Sequence, residues 1–215
     1  MKIRSIEKLQ DLVDEDFAWR NKELIDIKLL VHSTHNPTIC RMGLAMLCAH
    51  FEGFIKQLAN YYVVFVGSQN ISISHLNTNF AAIHTSKMIK SCSDTEKISV
   101  YQRFIDDFID KFQNKNFQVK YAHDNPIIKT NSNPSSNVIE EILISIGLDF
   151  SPYDTKRNYI DTDLLSNRHS IVHGERIYIT NDEFDETFKN IIYIMQMFGN
   201  QIMDAAINKK YLKSK

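Results

Sequence analysis

Apolar residues recur at helical steps near both ends of the chain. Between Ile6 and about Val31, residues Leu9, Leu12, Val13, Phe17, Leu24, Ile27 and Leu30 follow one another mostly at three- and four-residue intervals, which predicts an amphipathic helix. His35, Asn36 and Pro37 break it, because Asn suits an N-cap and Pro is tolerated in a first helical turn. From Ile39 to about Val66, residues Met42, Leu44, Met46, Leu47, Phe51, Phe54, Ile55 and Leu58 leave almost no polar side. That pattern predicts a second helix through the centre, on which any polar residue needs a reason.

The middle of the chain is less regular. Gly67 to Asn79 reads as a loop, and weaker helical patterns follow over Ala81 to Lys90 and Thr95 to Phe112, the latter carrying Val100, Phe104, Ile105, Phe108 and Phe112. From Asn114 to Asn137 the Asn, Ser and Pro content (Pro126 and Pro134) favours turns over helix. Ser136 to Ile146 reads as a helix stopped by Gly147, and Asp161 or Asp163 is suited to cap a further one through Leu164 and Leu165 to Gly174.

Arg176 to Thr180 alternates like an extended connection. Thr180 and Glu183 then have capping-box spacing ahead of a long helix with Phe184, Phe188, Ile191, Ile192, Met195, Phe198, Ile202 and Ala206 on its apolar stripe. Lys209, Lys210 and Lys213 bring positive charge to its end, favourably for the helix dipole. The expected fold is an all-α up-and-down helical bundle in one domain, residues 1–215, with residues 68–153 as a helical and loop insertion.

Composition narrows the function classes. With 215 residues, 43% of them hydrophobic and 24% charged, the chain is expected to fold around a sizeable core. A net charge of −1 gives no global basic field, so contact with nucleic acid would need a local cluster. Cys40, Cys48 and Cys92 form no CxxC pair and are odd in number, against a zinc knuckle or a disulfide framework, so a reducing cytoplasm is expected. The first residues lack the apolar core of a signal peptide, and no stretch reaches roughly 18 uncharged apolar residues, so no membrane association is expected.

The segment Arg168-His169-Ser170-Ile171-Val172-His173-Gly174 carries the candidate chemistry. On a continuous helix Arg168 and His173 would be separated by about 7.5 Å of rise and about 140° of rotation, a poor pair within one chain. Two copies meeting across a twofold axis would bring two Arg and two His to one cleft. RNA cleavage without metal needs a base for the 2′-hydroxyl, a cation for the phosphate and an acid for the leaving oxygen, which these residue types supply.

The segment resembles the HEPN domains of prokaryotic defence and toxin systems, helical bundles marked by Arg, four to six residues and His. Here the spacer is four, His169 stands at the polar position after the Arg, and Ile171 to Glu175 are similar to the family's apolar, apolar, His, Gly, Glu ending. Upstream, Arg41 and the run Ala49, His50, Phe51, Glu52, Gly53, Phe54, Ile55, Lys56 resemble the "AH[WF]EGF" helix of one bacterial subgroup, with Trp19, Arg20, Glu23 and Leu24 similar to its first helix. The likeness covers about residues 10–66 and 158–212.

The resemblance implies a homodimeric, metal-independent endoribonuclease without cofactor, a toxin or antiviral effector acting on RNA and restrained by a neighbouring antitoxin or sensor. Arg168 and His173 match the catalytic pair, His169 and Glu52 supporting positions. A catalytically silent HEPN-like module, binding a nucleotide or docking an antitoxin, is the alternative.

Plainer readings compete residue by residue. Arg168 and His173 can be a surface cation and a helix C-cap. His169 and His173 have the four-residue spacing of metal ligands, but Ser170 stands where a zincin has its glutamate. Glu52 and His50 can belong to a buried polar network, with Arg168 or Arg41 as partner of Glu52. Phe51, Phe54, Tyr61 and Tyr62 fit core packing, and Lys209 to Lys215 a solvated end with some scope for holding RNA.

Overall fold

The computed structural model describes residues 1–108, 115–130 and 132–213, with the backbone alone at Lys87. Helix α1 (Ile6–Thr34) starts at Ser5, whose hydroxyl accepts from Lys8 N–H at 3.2 Å. It stops at His35, where a left-handed φ of 46° turns the chain back. Asn36 Oδ1 accepts from Thr38 N–H at 2.9 Å with Pro37 in the first turn, so α2 (Pro37–Gly67) begins at the break the sequence marks.

At 31 residues α2 is about 46 Å long. An 18-residue window of it reaches a mean hydropathy of 1.2, enough by length and composition to cross a membrane; here it packs chiefly between α1 and the last long helix. Gly43 lets Ile27 and Val31 of α1 and Phe184 of α7 (Asn181–Ile207) approach within 3.1–3.2 Å of where a Cβ would stand. Gly199 of α7 faces Val13, Phe54 and Leu58. These contacts run α1 antiparallel to α2 and α7 parallel to it. The predicted capping box opens α7, with Thr180 N–H donating to Glu183 Oε2 at 2.8 Å and Glu183 N–H to Thr180 Oγ1 at 3.2 Å.

In the middle, α3 (Thr78–Ser93) extends the predicted helix at both ends, and α4 (Ile98–Asp106) widens into a π-type turn at 107–108. Phe112, expected on the same helix, lies outside the described residues. α5 (Ser136–Ile146) ends at Gly147, whose φ of +76° few other residues adopt readily. Residues 115–130 are irregular, as their composition predicts, yet they are pinned to α2. Asn60, 1% exposed, accepts from the N–H groups of Ile127 (2.8 Å) and Ile128 (3.0 Å) and donates to Ile128 O at 3.0 Å. A polar residue on the central helix thus satisfies a buried loop backbone.

Two local expectations change. Asp161 and Asp163 do not cap a helix of their own; they sit inside a π-helical stretch, Tyr159–Ser166, that runs directly into α6 (Asn167–Val172). Asp161 instead accepts from Ser136 N–H at 2.7 Å and Ser136 Oγ at 2.5 Å, tying that stretch to the start of α5. The C-terminal lysine segment is not a free end through Lys213. Tyr211 O accepts from Asn77 N–H at 2.9 Å, while Lys213 donates to His75 O at 3.0 Å and, through Nζ, to Ser74 O at 2.8 Å.

Candidate active site

Helix α6 lies along the first turns of α2. Arg41 Nη2 donates to Glu175 O at 2.9 Å at one end, and the charge of Arg168 reaches the Cys48 thiol at the other. Burial lifts that thiol to about 11; Arg168 pulls it down and Glu52 pushes it further up. Arg41, Cys48 and Glu52 share one flank of α2. Gly43 and His50 fall roughly 180–200° away, on the flank facing α1.

The helix stops at Val172. His173 adopts φ −82° and ψ 3° with its N–H bonded to His169 O at 3.0 Å, and Gly174 turns the chain with φ +77°. Ser170 Oγ donates to Glu175 Oε2 at 2.6 Å and closes the turn. His173 is thus the C-cap and keeps the bond to the carbonyl four residues back, so it stays at the helical position the sequence assigns it, with the stop at Gly174. Its ring lies against that of His169, with centroids 4.2 Å apart and planes at 49°.

Arg168 is half-buried, and both histidines are exposed. The side chains of all three make no hydrogen bond or ion pair with described residues. They are thus left able to bond a ligand. No third His, Cys, Asp or Glu joins the histidines in a metal-holding group among the described residues.

Glu52 takes a different partner from either arginine expected of it. Thr130 Oγ1 donates to Glu52 Oε1 at 2.5 Å, which brings the end of the irregular middle segment to the α6 flank of α2. Arg41 serves the Glu175 carbonyl, and its Nε is buried without a hydrogen bond among the described residues.

The other residues of the "AH[WF]EGF" resemblance assemble on the far flank. Arg20 donates through Nε to Asp16 Oδ2 at 2.7 Å, stacks 4.4 Å from the Trp19 ring centroid, and places Nη1 2.6 Å from where a Gly53 Cβ would stand. A side chain at Gly53 would make that guanidinium shift. Trp19 meets His50 edge-on at 5.3 Å. His50 is buried, with Nε2 3.0 Å from Glu23 Oε2 but not aligned for a hydrogen bond, and with Nδ1 unpartnered among the described residues. Burial lowers its basicity most and Arg20 adds to that, against the opposing pull of Glu23. Asp16 escaped the sequence reading, although its four-residue spacing from Arg20 was the available signal.

Between the two flanks α2 is open. Met42 (58% exposed) and Met46 (39%) lie on this strip with Ala49, and Val172 (60%) is exposed on α6.

A bundle whose long first, second and last helices come from both ends of the chain, with Arg-x4-His on a short helix against the second, defines a protein of the HEPN class. The RiboL-PSP-HEPN family model matches residues 15–204, and the chain belongs to that family. The match runs through the middle region that the sequence resemblance left uncovered. Neither the curated proteins nor the solved structures compared with the chain gave a match. At family level, a ribonuclease or nucleotide-binding role follows.

Proposed function

We propose that the protein is a metal-independent endoribonuclease, a toxin or antiviral-defence effector, whose site is completed by a second copy of the chain. The observation that carries this reading is the state of α6: a half-buried cation near its start and two exposed imidazoles towards its end, all unengaged by the described protein groups. A purely structural cap would bond the last carbonyls of the helix. The side chains of His169 and His173 bond none.

In the proposed reaction His173 takes the proton of a 2′-hydroxyl as that oxygen attacks the adjacent phosphorus. Arg168 holds the phosphate oxygens as charge builds on them, and an imidazolium of the partner copy protonates the departing 5′-oxygen. The products are a 2′,3′-cyclic phosphate and a 5′-hydroxyl. His169, in ring contact with His173, assists by holding it in place. Glu52 acts at one remove, by anchoring Thr130. The open apolar strip Met42, Met46 and Ala49, next to α6, supports a second copy as the partner.

The test compares wild type with Arg168→Ala and His173→Ala on purified RNA, with and without EDTA, alongside cell growth and RNA integrity on expression. Each substitution is expected to cut the rate by about 100-fold or more, within the usual range for a lost acid–base group, without unfolding the protein. EDTA should leave wild type unaffected. Equal cleavage by all three proteins would defeat the reading. Absence of cleavage by wild type would favour a silent binding module.

A further inference from the structure

Beside α3, the pinned segment 118–129 forms a cavity of about 360 Å³, within the size range of small-ligand sites. Ile83, Val119 and Ile127 contribute an apolar lining, and Lys120 and Lys129 bring charge to it. A second cavity of about 430 Å³ shares Gln118 and Val119 with the first and is lined by Lys2 and Arg4. Four cationic side chains thus line two neighbouring cavities that share Gln118 and Val119. All four are exposed, and none has an ion pair among the described residues. Between Lys115 and Thr130 the sequence holds three Lys against one Asp, in a chain whose net charge is −1. The similarly large cavity between α1 and α7 is lined instead by Asp14 and Asp204, which would repel phosphate.

The Lys129 end of these cavities is tied through the chain to the α6 flank of α2. Lys129 directly precedes Thr130, whose hydroxyl is bonded to Glu52, one helical turn from the Cys48 thiol that feels Arg168. We propose that the two cavities together form a track that binds single-stranded RNA, with successive phosphates on Lys2, Arg4, Lys120 and Lys129 and a base against Ile83, Val119 and Ile127. The proposal rests on the ribonuclease reading for its choice of RNA and gives the middle region the role of holding the substrate strand. The local basic cluster that a nearly neutral chain requires lies here.

The test measures binding of a labelled single-stranded RNA over a range of salt in the His173→Ala protein, which should hold RNA uncut. Removing Lys120 and Lys129 together by alanine substitution should weaken binding about tenfold and reduce the salt slope by about 1.4, the share of two phosphate contacts on a single strand. In the otherwise wild-type protein the same pair should raise KM and leave kcat in place. Ser86→Glu, which puts a carboxylate on the cavity lining without touching a lysine, should also weaken binding.

Unchanged affinity in the double-alanine protein overturns the proposal. So does loss of binding there with none in Ser86→Glu, which would make the lysines plain surface charge. A thermal upshift by AMP in wild type, absent from the double variant and with RNA binding unaltered, would assign the cavity to a free nucleotide instead. Track-dependent binding in a protein that never cleaves RNA would defeat the ribonuclease reading and leave the track standing.

Discussion

Burying an imidazole against Trp19 while its Nδ1 lacks a partner among the described residues makes neutral His50 the form that the folded chain accepts. Its basicity is lowered chiefly by burial, so the unfolded chain binds the proton more readily than the folded one does. The sign follows directly. Stability from His50 is fully present above about pH 6.5, the unfolded value, and is lost as pH falls through the lower folded value. Wild type should therefore lose more urea resistance between about pH 7.5 and pH 5.5 than His50→Gln does, with the midpoint of denaturation as the measurement. An equal loss in both proteins would place the pH dependence elsewhere. Gly53 belongs to the same cluster, because an added methyl would meet the Arg20 guanidinium.

The short helix α6 depends on how it ends. Beyond its chain neighbours, no heavy atom of the described residues lies within 4 Å of a Cβ added to Gly174, so substitution there meets open space and the cost is conformational, through φ +77°. Gly174→Ala is expected to lose about 1 kcal/mol and to displace His173 from His169, lowering cleavage; Gly174→Asn, which tolerates the left-handed region, should recover much of both. Melting temperature and cleavage rate read the two effects, and an alanine variant with wild-type stability would remove the argument.

Helix ends of this kind were legible in the sequence because their chemistry is local. Asn36 with Pro37, Thr180 with Glu183, and Gly147 each act within a few residues, and the Arg168 to His173 spacing is itself a sequence property. Apart from the local Asp16 and Arg20 pair, the missed features join distant positions. Asp161 bonds Ser136, 25 residues away, and Thr130 bonds Glu52 across 78, so no periodicity marks either. The π-helical stretch before α6 likewise has no residue pattern that separates it from an α-helix.

At the scale of the whole molecule, the open strip of α2 lies between two polar groups of opposite character. On one side the Asp16, Arg20, Trp19 and His50 cluster is satisfied internally, apart from the histidine, and fixes α1 to α2. On the other, α6 offers side chains that nothing described in the chain engages. A second copy docked on Met42 and Met46 would cover apolar surface and bring its own α6 towards the first, so association and chemistry would share one surface. Because both methionines are exposed, Met42→Glu with Met46→Glu should preserve the fold, judged by circular dichroism, while placing like charges face to face in a twofold contact. Light scattering is expected to show wild type as a dimer and the double variant as a monomer, with cleavage lost in step. A variant that remained dimeric would move the interface to another face, and a monomer as active as wild type would end the two-chain mechanism.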